Sequence, residues 1–161
     1  MDILRNSIIT LLTIVSISSV SSSTPIDSTW DLLEAVEYSD GEMFLDMMSE
    51  SIRIQIELSY RQLKELALND PGMAETLLRE LRINLTTWDL EWMTTGDFIT
   101  RMLDGVYLPP LENVISEEVS MNGRNAEVVF TWHSGYSLSI QFLWEGSSWK
   151  VTGSPILDQL F

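Results

Sequence analysis

The sequence predicts an α+β fold, N-terminal helices packed on an antiparallel sheet of about four strands, and three observations carry that expectation. Apolar residues recur every three or four positions from residue 27 to about residue 104. They alternate from residue 113 to residue 153. The two patterns are segregated along the chain, the mark of helices covering one face of an antiparallel sheet.

The first helix is expected to start near Ser28, whose hydroxyl can cap TWDLLEAVEY, with Trp30, Leu33 and Val36 as its apolar stripe. Asp40 can cap a second helix carrying Phe44, Met47, Met48 and Ile52. Helical character continues through IELSYRQLKELAL, with a bend near residues 49–51. Asp70 caps the next helix, and Pro71 takes its first turn, where a missing N–H costs nothing. Met73, Leu77, Leu78 and Leu81 are expected to face inward. TTGDFITRMLDG gives a last short helix, capped by Thr94 or Thr95 and ended by Gly105. YLPPLEN is then a rigid link, because two prolines cannot continue a helix.

Four strands follow. ENVISEEVSM reaches Asn122-Gly123, a hairpin signal because both residues tolerate positive φ. NAEVVFTWH, YSLSIQFLW and WKVTG are separated by turns at Ser134-Gly135 and EGSS. Parity puts Ala126, Val128, Phe130, Trp132, Tyr136, Leu138, Ile140, Phe142, Trp144, Trp149 and Val151 on one bulky face. Glu127, Thr131, His133, Ser137, Ser139, Gln141 and Lys150 fall on a polar one. Ile115, Glu117, Val119 and Met121 share a parity that is assigned inward.

Composition bounds the function classes. The chain has 161 residues, 45% of them hydrophobic, with six Trp, five Phe and four Tyr, which is enough to fill the core of one domain over residues 25–161. Net charge is −15, and the nine Lys and Arg form no stripe, so nucleic acid would be repelled. The lack of cysteine excludes disulfides and thiolate metal sites, and a single histidine, His133, excludes a multi-histidine centre. No cofactor or metal is called for. Residues 1–24 have the layout of a signal peptide: Arg5, an apolar stretch over residues 8–20, then small residues up to Pro25. That stretch is too short for the roughly 20 residues of a spanning helix, so export is expected, with an uncleaved membrane anchor as the alternative.

The acidic SDGEMFLDMM segment after the first helix, then NGRNAEVVFTW and WEGSSWKV, give an order of elements that resembles the nuclear transport factor two-like superfamily. The resemblance is to small exported members of unassigned function, over roughly residues 29–153. It implies a cone of helices wrapped by a curved sheet. It also implies a range of roles, from lyase- or isomerase-type enzymes to non-catalytic binding and dimerising domains. No catalytic signature of the superfamily can be matched residue by residue.

Among individual residues, His133 is the acid–base candidate as the chain's one imidazole, but it falls on the polar face beside a turn. Glu117 would have a raised pKa if enclosed in an apolar setting and would then serve as acid or base. Trp132, Tyr136 and Trp144, with Trp149, could line a pocket for an apolar ligand or could be core. Trp88 and Trp92, at helical spacing, are expected to pack. Met43, Met47, Met48, Met73 and Met93 read as core by their spacing. Asn84-Leu85-Thr86 is a glycosylation sequon. The expected function is an exported, non-catalytic binding or interaction domain, meeting a protein partner, a small apolar ligand or a second copy of itself. The alternative is a small lyase or isomerase using Glu117.

Overall fold

A computed structural model of the chain describes residues 23–160, so the signal-peptide reading of the N-terminus lies almost wholly outside the described residues. The fold is α+β. In chain order come α1 (Pro25–Glu37), α2 (Gly41–Met47), α3 (Glu50–Asn69), α4 (Pro71–Glu80), α5 (Thr87–Trp92) and α6 (Thr95–Leu103). A 3-10 turn (Leu111–Asn113) leads into β1 (Val114–Asn122), β2 (Asn125–Trp132), β3 (Ser137–Glu145) and β4 (Ser148–Gly153), and α7 (Pro155–Leu160) closes the described chain. Among the described residues no helix is long and apolar enough to cross a membrane.

Local chemistry starts and stops the helices. α1 begins a turn earlier than expected: Thr24, not Ser28, is its cap, because Pro25 supplies the first helical position. The Thr24 hydroxyl accepts from the Asp27 N–H while the Asp27 carboxylate accepts from the Thr24 N–H. Thr86 with Asp89 and Thr94 with Asp97 repeat this reciprocal box on α5 and α6. Asp40 and Asp70 cap α2 and α4 as the sequence predicts. α1 and α4 end in the same way. The Asp40 N–H returns to Ala35 O and the Ile83 N–H to Leu78 O, which puts Ser39 (φ 52°) and Arg82 (φ 57°) in the left-handed region.

The bend expected near residues 49–51 is a full break. Met48 is extended and buried, bridges to Val151 of β4, and separates α2 from α3. The Ser49 N–H donates to the Val151 carbonyl at 2.9 Å. α2 then runs against α6 at very close range. Gly41 and Gly96 meet there, and a Cβ on Gly41 would land on the Gly96 carbonyl oxygen. The Gly41 N–H is satisfied by Thr100 Oγ1 at 3.0 Å.

The sheet is an antiparallel meander in the order β1-β2-β3-β4. Phe130 and Ile140 are fully buried and Phe142 is 1% exposed. Trp132 is also fully buried, and its indole N–H donates to the Pro110 carbonyl at 3.0 Å. These residues share one buried cluster with Leu32, Leu33, Phe44, Leu78 and Ile99 from the helices. Trp30 of α1 meets Phe130 edge-on at 4.9 Å.

Three inward assignments are corrected. On α4, Ala74 and Leu78 are buried, whereas Met73, Leu77 and Leu81 are exposed. α4 packs against α3 and α5, which cover only a narrow stripe of it. On α5, Trp88 and Trp92 are exposed, and only Leu90 is buried. On β1, Ile115, Val119 and Met121 are exposed, for a reason given below.

Tyr60 ties α3 to the α5–α6 junction. Its hydroxyl donates to Met93 O at 2.9 Å and Leu90 O at 3.3 Å, and its ring stacks on Phe98 at 4.9 Å. Burial, aided by the Asp97 charge, pushes its pKa up to about 12. Tyr60→Phe should therefore cost about 1–2 kcal/mol in denaturant unfolding, since it leaves two carbonyls without this donor. Because the folded pKa is raised, the wild-type advantage holds below about pH 10 and is lost as pH rises through the folded value.

The three capping carboxylates act in the opposite direction. Hydrogen bonds from Thr24 to Asp27, Thr86 to Asp89 and Thr94 to Asp97 hold their pKa values below the usual carboxylate range. Their contribution is present above about pH 4 and is lost as pH falls through the folded values. Asp97→Asn should flatten the acid limb of a Tm-against-pH curve relative to wild type; an unchanged limb would show that this box contributes nothing to stability.

Candidate functional site: the open edge of the sheet

The two edges of the sheet differ. β4 is covered at its centre by Met48 and Ser49, through the bridge and hydrogen bond to Val151. Among the described residues, β1 has only β2 beside it in the sheet. Asn122 and Asn125 pair across a two-residue turn in which Gly123 has φ 62°. A pair that closes so tight a turn exchanges both of its backbone hydrogen bonds. Alternation from there points the N–H and C=O groups of Met121, Val119 and Glu117 away from β2. β1 therefore presents a row of outward-facing backbone donors and acceptors along nine residues.

Register places the side chains. Glu117 pairs with Phe130, Val119 with Val128 and Met121 with Ala126, so all three lie on the face whose β2 partners are buried. They are nevertheless exposed, because among the described residues no further strand lies beyond β1. Ile115 falls where the pairing slips between Val114 and Ser116, so it is unpaired and 61% exposed. The opposite face carries Ser116, Glu118 and Ser120, with Glu127 across from Ser120 on β2. Glu127 accepts a 2.6 Å hydrogen bond from Ser139 Oγ.

Glu117 sits at the centre of this edge. Its carboxylate accepts from Trp30 Nε1 at 3.0 Å, and Trp30 in turn packs on Phe130. The apolar enclosure that would have made Glu117 a general acid is missing: the residue is exposed. His133 is also exposed, one residue past β2, with its N–H bonded to the Asn113 carbonyl. The structure does not bring His133 and Glu117 together through any hydrogen bond or ion pair among the described residues.

The aromatic candidates divide. Trp132 lies inside the core between Phe130 (6.3 Å) and Tyr136 (5.4 Å), and Tyr136 is half-buried. Trp144 is half-buried and meets the buried Trp149 edge-on at 5.2 Å. Sequence reasoning missed the open edge. The signal available to it was EE at the middle of the first strand of a meander, since charge on an edge strand is how proteins guard against unwanted pairing. Comparison of the chain with protein-family models, curated proteins and solved structures finds no match.

Proposed function

We propose that the chain is an exported, non-catalytic interaction domain on the nuclear transport factor two-like plan, and that it takes up an extended segment of a partner protein along β1. The observation that carries this reading is the difference between the edges: β4 is stitched to the helices, while the outward backbone groups of β1 have no partner among the described residues. Helices leading into a four-stranded meander support the plan; the cone-like curvature belongs to the proposal. An added strand would gain main-chain hydrogen bonds, with specificity from alternate side chains. Its apolar residues would lie beside Val119 and Met121, and its basic residues beside Glu118. The lyase or isomerase alternative draws no support from the surroundings of Glu117.

A peptide alternating Val and Lys should bind the folded protein, and the same peptide with Glu for Lys should not. Val119→Pro removes an outward N–H without touching the β1–β2 ladder and should raise Kd at least about tenfold, as should Glu118→Lys. Equal binding to Val119→Pro, with its circular dichroism unchanged, would remove the edge from the reading. A concentration-dependent dimer abolished by Val119→Pro would assign the edge to a second copy instead.

Export belongs to the same reading. Thr24 is the cap of α1, so a cut just before Ser23 or Thr24 would leave the first helix with its capping box. The intact mass of protein recovered from a secreting host should correspond to a start at Ser23 or Thr24. Retention of Met1 would make the segment an anchor.

A further inference from the structure

A second feature lies apart from β1, where the end of α4, the end of α6 and α7 surround a cleft of about 530 Å³. That is within the range of small-molecule sites, about 300–1,000 Å³. Its walls include Ile83, Met102, Val106 and Leu160, and Arg82 and Arg101 stand along it. We propose that this cleft binds a small monoanionic organic carboxylate, its charge held by the two guanidinium groups and its hydrocarbon body by the apolar wall.

The charge pattern supports this choice. The chain carries 24 acidic and nine basic residues, yet two of the nine line one cleft. Among the described residues the one ion pair is Arg53 with Glu57, so neither Arg82 nor Arg101 is neutralised by direct pairing. Arg101 stands near enough to Asp89 and Asp97 to lower their pKa values, and Asp104 also lines the cleft. This acidic setting favours a single negative charge over a dianion. A guanidinium presents paired donors that match a carboxylate.

The backbone at Arg82 bears on how the site can be tested. Arg82 occupies the left-handed position that ends α4, where glycine is the usual residue and any side chain is disfavoured. Ser39 shows that the fold accepts a second such residue, but Ser39 carries no charge. At Arg82 the strained position carries a cation among the residues that line the cleft. Glycine there should give a more stable fold and a poorer site.

The test uses the full chain made in a host that does not glycosylate, because the sequon residue Asn84 also lines the cleft. Octanoate is titrated by amide NMR alongside 1-octanol, which has the body without the charge, and inorganic phosphate, which has charge without the body. Octanoate should shift the Ile83, Met102 and Val106 amides, with octanol and phosphate at least about tenfold weaker. Arg82→Gly should weaken octanoate at least about tenfold while raising Tm by roughly 2–5 °C. Arg101→Gln should weaken it with Tm little changed. Several results would overturn the assignment: no shift at about 10 mM octanoate, octanol or phosphate binding as well as octanoate, or both variants binding like wild type.

Discussion

The bond from the Ser49 N–H to the Val151 carbonyl makes the two edges of the sheet unlike, and much of the arrangement depends on it. Met48 and Ser49 are buried in extended backbone between two helices, where their polar groups need partners. β4 supplies one. The β3–β4 hairpin also holds the flanking helix ends: the Glu145 carboxylate accepts the Glu50 N–H at the start of α3, and Lys150 Nζ donates to the Asp46 carbonyl near the end of α2. A carboxylate at a helix start and an ammonium near a helix end both match the helix dipole. The β3–β4 hairpin thereby fixes where α2 stops and α3 begins. With β4 occupied in this way, β1 is left as the open side of the meander.

An open edge carries a hazard, and its charge shows how the hazard is limited. Two chains of net charge −15 repel before they meet, and Glu117 and Glu118 add local repulsion where two copies of β1 would pair. The same acidity favours an extended segment with basic side chains. Guarding against self-association and selecting a partner are thus one electrostatic property. The Trp30–Glu117 hydrogen bond adds a positional element: it ties the middle of the edge strand to α1.

Much of this was legible in the sequence. Alternation placed Phe130, Ile140, Phe142 and Val151 on one face, because side-chain direction in a strand has a fixed period of two. Asp40, Asp70 and Thr94 could be read as caps because the chemistry is local. Periodicity does not report how far a face is covered. Val119 and Met121 lie on the inner side of β1, and Met73 and Leu77 recur at helical spacing, yet all four are exposed because β1 is an edge strand and α3 and α5 cover only a narrow stripe of α4. The break at Met48 was legible only as a bend, since its cause, a bond to a strand a hundred residues later, is not local. α7 went unread, although Pro155 marks its first turn. The cleft at Arg82 and Arg101 joins residues from three separate helices or their ends, and no spacing rule finds it.

Exposure of an aromatic residue is not by itself a sign of docking, and α5 shows why. It has six residues, too few for a helix to hold itself together in water. Its capping box satisfies the first turn, Tyr60 grips the Leu90 and Met93 carbonyls, and Lys64 Nζ donates to the Glu91 carbonyl. Trp88 and Trp92 then stand four residues apart on the outer face, with ring centroids 6.4 Å apart. An exposed pair at this helical spacing contributes about 0.2–0.5 kcal/mol to the helix. The exposed tryptophans thus contribute to the short helix that carries them, whereas among the described residues nothing uses the outward backbone groups of β1.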